Sequence, residues 1–464
     1  MNTKLNIKLM SVVSLLMVLI SAGCSLDYPT TASRDLPRIT TSGTADFSKL
    51  VVAGNSLTAG YQSGGLAGNF QVNSYPAMIS RQLGIENGGY KGSEFEQPLA
   101  SDSGTSGILI LNYSPTGPIA SSATAITAPF VNTNLTRSYD NMAVPGAFVY
   151  DFLNTTASGN GWGGLILSSP NTLFDAILRN SGTQFQQVKS LNPSFVIWWE
   201  GHNDILGYAT RGAGVHKIPG PTQGAPPYTP RNSTEAGAMG IPFNFTTMYT
   251  AAIDSLAATG ADVIVGNIPY VTDIPYFTTV FPSTSIFAVN DSIYLVTNAL
   301  TGAKSGLFFE EDLTGADDSI KYMLLPVSSL LGKTNVPGFT GLPYGLHASA
   351  RIQGRYTITN EEATNIAGII DGYNTIISTV ADAKGIAVVD FKSYFSQIKT
   401  DGYTLPNGTK AGASFLSGGL FSLDGVHPST LGYAVVANKW ILEINNKFNS
   451  EIPLVRITDY MNIK

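Results

Sequence analysis

The chain has 464 residues, a formal net charge of −6, and charged side chains at only 12% of positions, against about 25% in an average globular domain. No basic run is present, which argues against a nucleic-acid partner, because phosphate contacts need clustered Lys and Arg; acidic polymers are disfavoured for the same reason. Cys24 is the single cysteine, so neither an intramolecular disulfide nor a cysteine-built metal site is available.

In chain order, Lys4 and Lys8 precede an apolar run at residues 9–20, followed by Ser21, Ala22, Gly23 and Cys24. This is the layout of a cleavable export signal, too short for a stable membrane-spanning helix. The small residues before Cys24 resemble a bacterial lipobox, which implies diacylation of Cys24 as the first mature residue; Ser21 stands where Leu is usual. The alternative is an ordinary secretory signal with an incidental cysteine. We expect a signal at 1–23, a Thr-, Ser- and Pro-rich tether at 24–46, and an exported lipoprotein anchored to the membrane, at the outer membrane, on its periplasmic or cell-surface face.

The fold is expected over 47–448, with a tail at 449–464. Short apolar runs at 50–53, 195–199, 263–265 and 386–389 read as strands buried on both faces. Helical patterns lie between them. Tyr249, Ile253 and Leu256 precede the third run; Ala363, Ile366, Ile370, Tyr373 and Ile377, behind a capping box of Thr359 and Glu362, precede the fourth. Tyr433, Ala437, Trp440, Ile441 and Ile444 form one face of a closing helix. Alternating strands and helices predict an α/β fold with a parallel sheet covered on both sides. Three segments break the rhythm and read as insertions: 84–139, 207–243 and 271–356, the last carrying Tyr276, Phe277, Phe281, Phe287, Phe308 and Phe309.

Gly54, Asn55, Ser56 and Leu57 follow the first buried run, which places Ser56 at the carboxyl end of the sheet, where open α/β sheets bind ligands. A Gly and Asn pair is also ordinary turn chemistry. Near the other end stand Asp424, Gly425, Val426, His427 and Pro428. A carboxylate three residues before a histidine can turn with it towards one point, as serine activation by an oriented base requires; the plain alternative is a helix-start loop with a capping Asp and a surface His. Two more elements offer donors for a developing oxyanion: Asn141 to Gly146, and Gly201, His202, Asn203 and Asp204 after the second strand.

These four blocks, in this order, resemble those of the SGNH hydrolase superfamily, the GDSL-like lipases and esterases. The resemblance implies a flavodoxin-like three-layer sandwich with about five parallel strands, and a triad of Ser56, His427 and Asp424. It further implies an oxyanion hole from Ser56, Gly146 and Asn203, and no cofactor or metal. Asn55 replaces the Asp common in the first block, a variant the family also uses. A helix after Ser56 would add its positive end to the site.

The substrate class is then a small-molecule or glycan-borne ester, and the aromatic third insertion leans towards lipid-like or aryl acyl esters ahead of O-acetylated glycans. The competing class is a non-catalytic surface lipoprotein binding glycan or protein on a hydrolase scaffold, since fold alone does not prove function. His202 is read as structural or solvated ahead of substrate contact, His216 and His347 as surface residues, and Trp198 and Trp199 as packing. The insertion's aromatics are read as its own small core ahead of a lid over an acyl pocket.

Overall fold

The computed structural model describes residues 39–105, 108–114, 117–122, 130–163, 170–213, 245–280, 286–289, 292–295, 307–310 and 320–461. Cys24 and His216 lie outside these residues, as do Phe281 and the side chain of Phe287.

Four parallel strands form the central sheet: β1 (Leu50–Gly54), β2 (Phe195–Trp199), β3 (Asp262–Gly266) and β4 (Ala387–Val389), paired in that spatial order. β1 and β2 are buried along their whole length, as their uninterrupted apolar sequence predicts. The expectation of about five strands is corrected in one respect, because the fifth is a bridge and not a full strand. Asn141 pairs in parallel with Val52, held by Val52 NH to Asp140 O at 2.7 Å and Met142 NH to Val52 O at 2.7 Å. This segment lies second in the chain and outermost beside β1, so the order reads second, first, third, fourth, fifth. That is the flavodoxin-like arrangement, with its switch point between β1 and β2.

Alternation along the strands divides the core in two. Val51, Ala53, Val196, Trp198, Val263 and Val265 point into one cluster; Leu50, Val52, Phe195, Ile197, Trp199 and Ile264 point into the other. On the first face pack α3 (Val149–Asn154), α4 (Gln184–Ser190), α6 (Phe245–Ala257) and α7 (Asn360–Asp382); on the second, α2 (Tyr75–Gln82), α8 (Phe391–Asp401) and α9 (Thr430–Phe448). The result is three layers. Full burial of a large apolar side chain contributes about 2–3 kcal/mol, and Trp198, Trp199 and Trp440 are among the largest fully buried.

The predicted helix faces are the buried ones: Ile366, Ile370, Tyr373 and Ile377 on α7, and Tyr433, Ala437, Trp440, Ile441 and Ile444 on α9. Thr359 Oγ1 accepts from Glu362 NH at 3.2 Å while Glu362 returns a bond to Thr359 NH at 2.9 Å, which closes the expected capping box.

The domain extends past both expected boundaries. Residues 39–46 pair with the C-terminal segment through Thr44 NH to Phe448 O, and Ala45 is buried. In the expected tail, Ile452, Val455 and Ile457 are buried, and Asn438 and Asn445 of α9 clamp the backbone of Val455 and Ile452. Apolar residues spaced for packing decide this, not the end of the last helix. The first insertion contains an antiparallel hairpin, Leu109–Ser114 with Gly117–Ser122.

The third insertion builds a core of its own from Val280, Leu307, Met323, Val327, Tyr344 and Ile352. Phe309 packs against it, whereas Phe277 is buried in the main core. Among the described residues no helix is long and apolar enough to cross a membrane.

Candidate active site

β1 ends at Gly54, and the chain turns into α1 (Ser56–Ala59), a single helical turn capped by Asn55, whose side-chain oxygen accepts from Leu57 NH at 3.2 Å. The expected helix after the nucleophile is therefore one turn long. It fixes the direction of the first amides but carries little macrodipole, which accumulates over several turns.

At the far end of the chain, Asp424 and His427 sit in the loop before α9. His427 Nε2 lies 2.9 Å from Ser56 Oγ and His427 Nδ1 lies 2.9 Å from Asp424 Oδ2. The loop folds this way because Asp424 Oδ1 accepts from both Val426 NH at 2.8 Å and His427 NH at 2.9 Å, so the carboxylate organises its own turn. Gly425, at φ +71°, completes it in a conformation that favours glycine, and a Cβ there would also crowd the Tyr276 backbone nitrogen at 3.2 Å. Ser422 Oγ and Gly64 NH also donate to Asp424, at 3.1 and 3.0 Å. Burial alone would raise the Asp424 carboxyl, but the charge of His427 and the bonds from its ring and amide outweigh it and hold the group down at about 2. The Tyr61 ring packs on His427 at a centroid distance of 4.7 Å.

The second block is tied to the first by Val144 NH donating to Gly54 O at 3.0 Å. Gly146, at φ +82°, turns the chain so that its amide is directed to no acceptor among the described residues. The Ser56 amide likewise has no described acceptor. Asn203, at the start of α5 (Asn203–Ala209), donates one amide hydrogen to Ala147 O at 2.7 Å and keeps the other. Direct contacts therefore join Ser56, His427 and Asp424, while Val144 NH ties the Gly146 block to Gly54 and Asn203 is tied to that block through Ala147 O.

The remaining histidines separate as expected where they are described. His347 is exposed, with Nδ1 accepting from Ser349 NH at 3.0 Å. His202 is buried, stacked edge-on to Trp199 at 4.8 Å and 3.1 Å from Asn55 Nδ2. Burial, and then the charge of His427, push its imidazole down to about 3, so it stays neutral. Among the described residues no group of three or more His, Cys, Asp or Glu could hold a metal ion.

Sequence reasoning missed the polar layer under Ser56. Glu200 is fully buried, and Asn55 Nδ2 donates to its Oε2 at 3.0 Å. Burial, and next the nearby Asp204, push its carboxyl far above the usual range. A carboxylate directly after five apolar strand residues was the available signal. Also unforeseen was the contact of the third insertion with the site: Tyr276 NH donates to Gly425 O at 2.8 Å, and Leu325 NH to Tyr276 O at 2.9 Å.

No family model matches the sequence, and a search of curated proteins returns no match. Among solved structures, an acetyl xylan esterase is similar at 14% identity and a TM-score of 0.32, over 85% of this chain and 98% of that one. An acetylxylan esterase from Geobacillus stearothermophilus follows at 11% and 0.31, over 87% and 96%. An alpha/beta hydrolase enzyme from the metagenome of Lake Arreo, Spain, matches at 14% and 0.32, over 86% and 96%. At these TM-scores the likeness carries no argument about this chain. Its own geometry brings together the four blocks on which the SGNH resemblance rests.

Proposed function

We propose that the chain is a serine ester hydrolase of the SGNH type, working through an acyl-enzyme. The observation that carries this is the continuous relay from Ser56 Oγ through His427 to Asp424, two contacts of 2.9 Å, the first of them between residues 371 positions apart in the chain. In the first step His427 Nε2 takes the Ser56 proton while Oγ bonds to the ester carbonyl carbon. The negative charge on the carbonyl oxygen is held by the amides of Ser56 and Gly146 and the spare hydrogen of Asn203, each donor of this kind being worth roughly 10²–10³ in rate. His427 then returns the proton to the departing alcohol oxygen as the C–O bond breaks. Water, deprotonated by the same nitrogen, attacks the acyl carbon, and His427 passes that proton to Ser56 Oγ as the acyl C–O bond breaks, releasing the acid and free Ser56. Asp424 keeps the imidazole proton on Nδ1 and balances its charge during each transfer.

Acyl esters are the substrate class. The lean towards lipid-like or aryl acyl esters loses Phe277 and Phe309 to packing, so acyl length is to be read from the assay. Export and lipidation at Cys24 belong to the same proposal and rest on the lipobox-like residues alone.

The test is turnover of p-nitrophenyl esters from acetate to palmitate by protein beginning at Ser25, beside Ser56→Ala and His427→Ala. We expect turnover in the wild type and a loss of about 10⁶ in each variant. Equal turnover in wild type and Ser56→Ala would overturn the assignment. Activity on esters longer than butyrate points to lipid-like substrates, and strict preference for acetate to O-acetylated glycans.

A further inference from the structure

Asn55 faces two ways from a completely buried position beneath Ser56. Its oxygen accepts from Leu57 NH at 3.2 Å and so caps the turn that presents Ser56. Its nitrogen donates to Glu200 Oε2 at 3.0 Å and lies 3.1 Å from His202 Nδ1. Leu57 NH is a donor, so the side-chain atom facing it is the amide oxygen, which turns the amide nitrogen and its two hydrogens towards Glu200 and His202. The amide at 55 meets both without any change in the protonation of Glu200 or the tautomer of His202. A carboxylate at 55 would set two carboxyl oxygens about 3 Å apart in a buried site, where they cannot both be ionised; the pair would have to share a proton, and His202 would have to supply its own hydrogen from Nδ1.

We propose that Glu200 is a positioning residue for Ser56: it orients the Asn55 amide, and its carboxyl is the reason that this position carries an amide and not an aspartate. The inference rests on the esterase reading. Glu200 touches no reacting atom; it acts through Asn55 on the turn that holds the nucleophile and the Ser56 amide. The same contact accounts for the departure of the first block from Gly-Asp-Ser-Leu. Glu200 Oε1 and His202 Nε2 have no hydrogen-bond partner among the described residues, and the Gly201 amide also bears on the Glu200 carboxyl; the bonds to Asn55 are what tie this layer to the turn.

The test is a charge-swap cycle read by kcat and KM on the best p-nitrophenyl ester, with thermal unfolding of every variant. Asn55→Asp and Glu200→Ala should each lower kcat by roughly 10–100-fold with KM little changed, the scale of a small misplacement of reacting groups. Glu200→Gln keeps an acceptor for Asn55 and should fall less than Glu200→Ala. The double variant Asn55→Asp with Glu200→Gln should recover most of the loss of Asn55→Asp, because the amide and the carboxylate have exchanged places. A folded Asn55→Asp with wild-type kcat, or a double variant no better than Asn55→Asp, overturns the proposal. If Asn55→Asp fails to unfold cooperatively, Glu200→Ala and Glu200→Gln decide, and equal kcat in the two overturns it. A wild type that turns over no ester is a separate failure, seen before any variant is compared, and it removes the esterase reading and this inference together.

Discussion

Asp424 and Asp204 are both largely shielded from solvent, one facing His427 and the other next in the chain to Asn203, yet their ionisation is opposite. Asp424 receives hydrogen bonds from the Val426, His427 and Gly64 amides and the Ser422 hydroxyl, faces His427, and stays down at about 2. Asp204 receives Val149 NH at 3.1 Å on one oxygen, has no described partner on the other, and is pushed up to about 8, by burial first, with Asp151 adding to it. Donors and an opposite charge, not depth, decide which carboxyl is charged. Asp151, fully buried but given three donors, lies between them at about 6.

The sharpest way to break this comparison is Asp424→Asn, which keeps the shape but removes the charge and allows the wrong imidazole tautomer. We expect kcat to fall by roughly 10⁴, measured on the same ester series; a loss under tenfold would remove Asp424 from the triad. Next in size is the acid limb. His427 must be neutral to accept the serine proton, whereas Asp424 stays ionised until about pH 2, so kcat/KM should fall about tenfold per pH unit once the imidazole protonates. A profile flat to pH 4 would contradict His427 as the base.

The smallest effect concerns stability. The Asp424 carboxyl is lowered below the ordinary unfolded value of about 3.9, so its contribution is present above that pH and is lost as pH falls towards 2. The Asp204 carboxyl is raised, so its contribution is present below about 3.9 and is lost as pH rises towards 8. Asp204→Asn keeps an acceptor for Val149 NH and cannot ionise. Its Tm relative to wild type should therefore climb between pH 4 and pH 8, by on the order of 2 °C or more. A Tm difference independent of pH would mean that Asp204 is already ionised in the folded protein.

Much of the fold was legible because its signals are local. The runs at 50–53 and 195–199 are apolar on both faces, which only a sheet covered on both sides can bury. Thr359 with Glu362 marked the start of α7 through bonds made within one turn. The pairing of Asp424 with His427 was legible for a similar reason: Asp424 shapes its own loop through backbone amides two and three residues on, so the spacing of Asp and His already encodes their meeting. The fifth strand was less visible, since Asn141 bridges to Val52 through a segment that carries buried polar residues, Asp140 and Asn141, where an apolar run was sought. The fate of the aromatics in the third insertion was not legible, because Phe277 and Phe309 have the same chemistry and differ only in which core lies beside them.

By itself the sequence determined the layered α/β architecture, the helix faces, the order of the four blocks and which residues, Ser56, Asp424 and His427, to look for at one point, since periodicity, caps and short-range turns are written within a few residues of each other. Only the tertiary structure decided what surrounds them. Contacts between distant segments made Asn55 the partner of Glu200, laid Tyr276 against Gly425, drew residues past 448 into the domain, and left Asp204 dry while supplying Asp424 with donors. The ionisation of a carboxyl is a property of its neighbours in space, and those neighbours are chosen by packing across the sheet.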